Sequence, residues 1–198
     1  MERHQFLIKS TTQGTENEVI MNFRQIKPEQ ITDNAFRLIG TDWMLVTSAD
    51  NEGSLVCGED YNTMTASWGG VGILWSKPVA FVFIRPQRHT FSFTERNGMM
   101  TLSFFGEEYR KALSFCGSKS GRDMDKVKEC GLTPAADQTE WGRTVHFEEA
   151  RLVMKVRPLY KEYLKEGAFL SEEPLKNYAA GDFHMMYVCE ITEVLVKE

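Results

Sequence analysis

Eleven residues from Asn62 to Gly72, NTMTASWGGVG, hold three hydroxyl side chains (Thr63, Thr65, Ser67), a tryptophan (Trp68) and three glycines. A second run, RPQRHT at Arg85–Thr90, places two arginines and a histidine directly after the apolar stretch Val79–Ile84. A third, GSKSGRDMDK at Gly117–Lys126, sets Ser118, Lys119, Ser120 and Arg122 in a glycine-flanked loop. Hydroxyls, fixed arginines and free backbone N–H groups are what a phosphate needs, and a large aromatic beside them suits the planar end of a nucleotide-like cofactor. Each run taken alone is as easily a polar turn. Three of them in one acidic chain point to an anion site.

The elements that must position these runs read as follows. A helical pattern opens at Pro28, repeats at Ile31, Ala35, Leu38 and Ile39, and ends at Gly40. Trp43–Ser48 is a strand, Ala49–Gly53 a turn, and a second strand starts near Thr63. Val79–Ile84 is apolar on both faces, as in a fully buried strand. Met100–Phe105 alternates, with Leu102 and Phe104 opposite Thr101, Ser103 and Phe105. Glu107–Cys116 reads as an amphipathic helix, and a shorter one spans Met124–Cys130 with Asp123 as N-cap and Gly131 as stop. Glu149–Arg157 and His184–Val196 return to strand patterns. Strands, then helices, then strands, without regular alternation, favour an α+β or barrel architecture over a doubly wound sheet.

The composition narrows the function classes. With 198 residues the chain forms one domain over 21–198, preceded by a polar, aperiodic extension at 1–20. A formal charge of −5 argues against a nucleic-acid binder. The four cysteines are scattered without a CxxC pair, which reads as reduced thiols in a cytoplasm. No apolar run reaches membrane-span length and no secretory signal is visible, so a soluble chain with no membrane partner is expected. GSKSGRD is not a P-loop and the glycines after Trp68 do not make GxGxxG. The four histidines share no ligand spacing with each other or with the cysteines, so no metal is expected.

Taken in order, NTMTASWGGVGILWSKPVAFVFIRPQRHT, MTLSFF, CGSKSGRDMDK and the closing GDFHMMYVCEI resemble the flavin reductase-like family, the FMN-binding split barrels that include flavoredoxin. The likeness runs from about Asp42 to the end. It implies a mainly β, α+β fold: a six-stranded antiparallel split barrel with short flanking helices, forming a homodimer with FMN near the subunit interface. It further implies that Thr63, Met64, Thr65, Ala66, Ser67 and Trp68 line the flavin edge and ribityl chain. Arg85, Gln87, Arg88, His89 and Thr90 would surround the phosphate and ribityl oxygens. Ser118, Lys119, Ser120 and Arg122 would close the phosphate end, with Asp123 and Lys126 supporting the loop, and Ser103 would reach the ring. His184 is the candidate catalytic residue at the flavin face, against the alternative of a solvent-exposed histidine at a strand end. Cys189 stands where the family often has glycine.

The resemblance implies an oxidoreductase that takes electrons from NAD(P)H through FMN to a flavin or other acceptor. A second reading is a flavoredoxin-like carrier served by a redox partner protein without nicotinamide turnover. A third is a non-catalytic split barrel that holds a phosphate-bearing ligand or haem. A pyridoxamine-phosphate-oxidase-like enzyme shares the barrel and ranks below these.

Overall fold

Every strand pairing among residues 23–198, the residues that the computed structural model describes, is antiparallel. The polar extension expected at 1–20 lies outside the described residues. The strands are β1 (Phe23–Ile26), β2 (Met44–Ala49), β3 (Tyr61–Ala66), β4 (Gly69–Leu74), β5 (Lys77–Ile84), β6 (Met100–Phe104), β7 (Pro134–Thr139), β8 (Gly142–Phe147), β9 (Leu152–Tyr163) and β10 (Met185–Lys197). The helices are α1 (Ala35–Arg37), α2 (His89–Arg96), α3 (Arg110–Ser118), α4 (Lys126–Glu129) and α5 (Glu172–Leu175), with short 3-10 turns between elements.

The main sheet has the order β3-β2-β6-β9-β10-β5-β4, and β1 joins it on β10. Strand β10 splits it: Met185–Glu190 pair with β5 and the Val194–Lys197 end pairs with β1, while β9 follows the other edge of β10 through two register shifts. The ends of the path, β3 and β4, do not pair with each other, so the sheet is an open split barrel. The six strands implied by the family become eight, with a separate β7–β8 hairpin. One of them, β4, is built from the glycine-rich GGVGIL, to which the sequence reading assigns no element.

Strand alternation divides the interior into two cores. Met44 and Val46 of β2, Leu102 and Phe104 of β6, and Met154 and Val156 of β9 fill the first. Leu45 and Val153, on the same strands but the opposite face, join Leu113 and Cys116 of α3 and Phe147 of β8 in the second. Cys189 is fully buried in the first core, where it acts as a small apolar filler.

Several elements differ from the sequence reading. The helix expected from Pro28 to Gly40 is broken, because the Asn34 side chain accepts from the N–H groups of Phe36 and Arg37 and starts a fresh turn. Helix α2 lies where no element is expected. The second short helix starts later than expected: Asp125, not Asp123, caps α4 by accepting from the N–H groups of Val127 and Lys128.

Candidate functional site

The start of α2 and the loop between α3 and α4 face each other across the edge strand β3. Between them lies a cleft of about 190 Å³, lined by Asn62, Met64, Gln87, Arg88, His89, Thr90, Ser118, Lys119, Ser120, Gly121, Arg122 and Lys126. Its lining holds four cationic side chains and no carboxylate. Arg88, the N-cap residue of α2, donates from Nη1 to the Gly117 carbonyl at 2.8 Å. Arg122 donates from Nη1 to the Gln87 carbonyl at 3.2 Å, so the two arginines tie the walls together. The N–H groups of His89 and Thr90, ahead of the Phe91 N–H that donates to the Arg88 carbonyl at 3.0 Å, are those a helix start leaves without an intrahelical partner, and they add partial positive charge at the same place.

Lys126 lies beneath the loop, only 2% exposed. Its ammonium donates to the carbonyls of Cys116 (3.0 Å) and Lys119 (3.1 Å), and no carboxylate pairs with it among the described residues. Burial pushes its pKa down. A buried ammonium without a counter-ion is costly, and an anion entering the cleft would relieve that cost.

Backbone packing holds the cleft open at one point. A Cβ on Gly121 would meet Asn62 Oδ1 at 2.1 Å, and one on Gly58 (φ +99°) would meet the Gly121 carbonyl at 1.9 Å. Only glycine at both positions allows the loop to lie against β3. Asn62 is held by a 2.7 Å donation to Thr90 Oγ1, and His89 Nε2 stands 3.0 Å from the Gly58 carbonyl. Asn62 and Gly121 are site residues that the sequence reading does not single out, although both lie inside segments that it flags.

The structure gathers Met64, Gln87, Arg88, His89, Thr90, Ser118, Lys119, Ser120, Arg122 and Lys126 into this cleft, and sets other candidates apart. On β3, Asn62 and Met64 face the cleft, so Thr63 and Thr65 face the other way. Thr63 is fully buried, with its hydroxyl 2.9 Å from that of Thr47, and Thr65 donates to the Leu113 carbonyl of α3. Ser103 is sealed in the interior opposite Leu45, so in this chain it cannot reach a ligand from the surface. Ala66 packs in the first core and Ser67 is half-buried beside it in sequence. Asp123 is exposed outside the cleft lining.

Arg85 is engaged within the chain itself. Its guanidinium pairs with Asp182, donates to the Asn177 carbonyl at 2.8 Å and stands over the Tyr178 ring at 5.3 Å. Gln87 donates to the same Asp182 carboxylate at 2.6 Å, and these bonds hold that carboxyl below its usual pKa. Arg85 therefore anchors the segment before β10 and is not free for a ligand.

That segment carries His184. The imidazole is 8% exposed, so the reading of a solvent-exposed strand-end histidine is overturned. Its Nδ1 stands 3.0 Å from the Tyr178 hydroxyl, and its ring lies 5.4 Å from that of Trp68, which is 48% exposed. Burial first, then the nearby Arg85 charge, lower its pKa to about 4. His184 is neutral at physiological pH and offers a flat ring beside a half-exposed indole.

A second and larger cleft, about 370 Å³, lies between α1 and the start of α3. Its arginines are engaged: Arg151 pairs with Asp33 at 2.8 Å and Asp42 at 3.4 Å, and Arg37 approaches Asp42 at 3.6 Å. Arg110 stacks over Trp43 at 4.2 Å. No helix among the described residues is long and apolar enough to cross a membrane.

Comparisons with known proteins bear on the family and the fold. Residues 36–198 match the family model described as the flavin reductase like domain. Comparison with curated proteins gives no match. Among solved structures, the chain is similar to the flavoredoxin of Desulfovibrio vulgaris (Miyazaki F), with a TM-score of 0.59 and 21% identity over 80% of this chain and 70% of that one. It is similar to an FMN-binding domain of a flavin reductases-like enzyme from Shewanella baltica OS155, with a TM-score of 0.59 and 16% identity over 89% and 78% of the two chains. Nitrilotriacetate monooxygenase component B from Bacillus cereus gives 0.58 and 17% over 87% and 81%.

Proposed function

The chain belongs to the flavin reductase-like family, and on that premise we propose that it binds FMN by its phosphate end in the cation-lined cleft and moves electrons from NAD(P)H through the flavin to an acceptor. The observation that carries this reading is the cleft's charge: four cations, one of them buried, with no carboxylate in the lining of a protein whose net charge is −5. That donor set fits a phosphate monoester, which supplies two negative charges and several acceptor oxygens. When bound, FMN would supply two-electron chemistry, accepting hydride and passing electrons on.

The chain's own residues have separable tasks. Arg88, Lys119, Arg122 and Lys126 neutralise the phosphate, while Ser118, Ser120 and the N–H groups at the start of α2 satisfy its oxygens. Met64 and Asn62 form the wall toward the ribityl chain. Half-exposed Trp68, backed by the buried and neutral His184, presents an aromatic surface where a flavin and a nicotinamide can be aligned. Alignment is what hydride transfer chiefly requires, and a histidine with a pKa near 4 positions a ring without donating a proton at neutral pH.

A cleft of about 190 Å³ is smaller than the roughly 300–1,000 Å³ of typical cofactor pockets. The ring end of FMN therefore needs a further wall. Trp68, Ile73 (69% exposed) and Trp75 lie on and beside β4 and give a second copy of the chain an apolar surface to cover, which supports a homodimer. All four cysteines are free thiols, which suits a reducing, cytoplasmic setting.

Anaerobic stopped-flow of the FMN-reconstituted protein against NADH and then NADPH tests the proposal. Rapid bleaching of the flavin band by either donor is expected. Bound flavin that stays oxidised would replace the reductase reading with an electron carrier served by a partner protein, and failure to bind FMN would overturn both.

A further inference from the structure

We propose that Cys116 and Cys130 form a reversible dithiol–disulfide site that locks the anion loop of the cleft. Cys116 sits in the last turn of α3 and Cys130 is the C-cap of α4, and their sulfurs are 3.9 Å apart. The 14-residue separation between them contains the whole loop, including Ser118, Ser120, Arg122 and Lys126. No other sulfur pair among the four cysteines comes this close. Cys57 points its thiol at Asn62 Oδ1 (3.7 Å), and Cys189 is sealed in the first core.

A disulfide needs its sulfurs at about 2.05 Å, so the pair must close by roughly 2 Å, within reach of side-chain rotation and a small shift of the end of α4. That end is short and partly exposed: Cys130 is half-buried and its thiol rests 3.7 Å from the Ala112 carbonyl. Cys116 is fully buried. Burial raises the pKa of both thiols while the Lys126 charge opposes the rise, so both are protonated at neutral pH and react slowly.

The more accessible thiol, that of half-buried Cys130, reacts first. Hydrogen peroxide oxidises the Cys130 thiol to a sulfenic acid and releases water. The Cys116 thiol then attacks that sulfur, the S–O bond breaks, a second water leaves and the S–S bond forms. Two thiols lose two protons and two electrons, and one peroxide becomes two waters. A small dithiol reverses the step by exchange.

Cross-linking ties together the two ends of the loop that walls the cleft, which restricts how far the loop can open for a phosphate-bearing ligand. Oxidation therefore slows exchange of the ligand in both directions. This consequence rests on the phosphate-end reading of the cleft; the thiol chemistry does not.

The experiment treats the full-length, ligand-free chain with hydrogen peroxide. It combines intact mass, peptide mapping and amide hydrogen exchange over residues 117–125. Expected are a product two hydrogen atoms lighter, a Cys116–Cys130 linked peptide and exchange slowed several-fold, all reversed by dithiothreitol and all missing in Cys130→Ser. An oxygen adduct on Cys130 without a cross-link would overturn the site, as would a linkage to Cys57 or Cys189. A cross-link that leaves exchange over 117–125 unchanged would overturn the lock. None of these readouts requires FMN, so a failure here is distinguishable from a failure of FMN to bind.

Discussion

The two clefts of this chain differ in size in one direction and in unspent charge in the other. The cleft by α1 is about 370 Å³ and presents Arg37, Arg110 and Arg151 against Asp33, Asp42 and Glu107. The cleft by α2 is about 190 Å³ and presents Arg88, Lys119, Arg122 and Lys126 against no acid at all. In the first, Arg151 and Arg37 are already bound to the chain's own carboxylates, so an incoming anion would have to break those pairs and desolvate their partners. In the second, Arg88, Arg122 and Lys126 are held by backbone carbonyls, which orient them without cancelling their charge. The difference teaches that a ligand site is marked by charge left unpaired at a structural cost, and that volume is the poorer guide.

Lys126→Met puts the largest strain on that comparison. It keeps the length of the side chain and removes the buried charge. FMN affinity should fall by about two orders of magnitude, since a charge-assisted bond to phosphate is worth up to about 3 kcal/mol. The melting temperature of the ligand-free protein should move by no more than about 4 °C. The two lost bonds to carbonyls are offset by a removed desolvation cost, and 1 kcal/mol shifts a domain of this size by about 2–4 °C. Titration of FMN fluorescence and calorimetry of the apoprotein read the two effects separately. Unchanged FMN affinity would return Lys126 to a purely structural role and dissolve the contrast between the clefts.

Arg88 and Arg85 sharpen the comparison at smaller scale, because they are three positions apart with opposite fates. Arg88→Ala should purify folded, with FMN affinity lowered about tenfold or more. Arg85→Ala should change FMN affinity far less, because its guanidinium is committed to Asp182 and Asn177. It should instead raise the His184 pKa from about 4, since the Arg85 charge is one cause of its depression and Asp182 would be left unneutralised. An NMR titration of the imidazole in both variants checks this. Equal losses of FMN affinity would place Arg85 in the phosphate site after all.

These two arginines also show how far the sequence could be read. Val79–Ile84 and Met100–Phe105 are legible because apolar runs and strict alternation leave few alternatives, and they match the ends of β5 and β6 closely. The three anion runs are legible because each is continuous, so local composition is enough. What decides between Arg85 and Arg88 is Asp182, 97 residues away from Arg85, and no local pattern encodes that distance. Helix α2 was hidden because HTFSFTER alternates like a strand; burial of Thr90, Phe93 and Thr94 selects the helix. The β7–β8 hairpin was hidden because Ala135, Ala136, Asp137 and Gln138 have little strand preference, and pairing with β8 supplies what propensity does not. The burial of Thr63 and Ser103 is illegible for a related reason: the sequence shows which residues share a strand face, and only the assembled sheet shows which face meets the cleft.

The smallest expected effect belongs to the cleft by α1. Arg37 is 76% exposed at its side chain and stands 3.6 Å from Asp42, which Arg151 also reaches. An exposed ion pair of this kind contributes at most about 0.5–1 kcal/mol and is screened by salt. With Arg151 still in place, Asp42 keeps a partner after Arg37→Ala. The variant should therefore melt within about 2 °C of the parent and bind FMN with unchanged affinity. A null result is informative here because the substitution removes a full positive charge from the rim of the larger cleft. If long-range field alone drew the phosphate, that loss would register as weaker binding at low ionic strength and would fade as salt rises. If contact with unpaired cations decides, nothing should change at either salt concentration. Weaker FMN binding in Arg37→Ala at low salt would thus move the explanation from the local chemistry of one cleft to the charge of the whole surface.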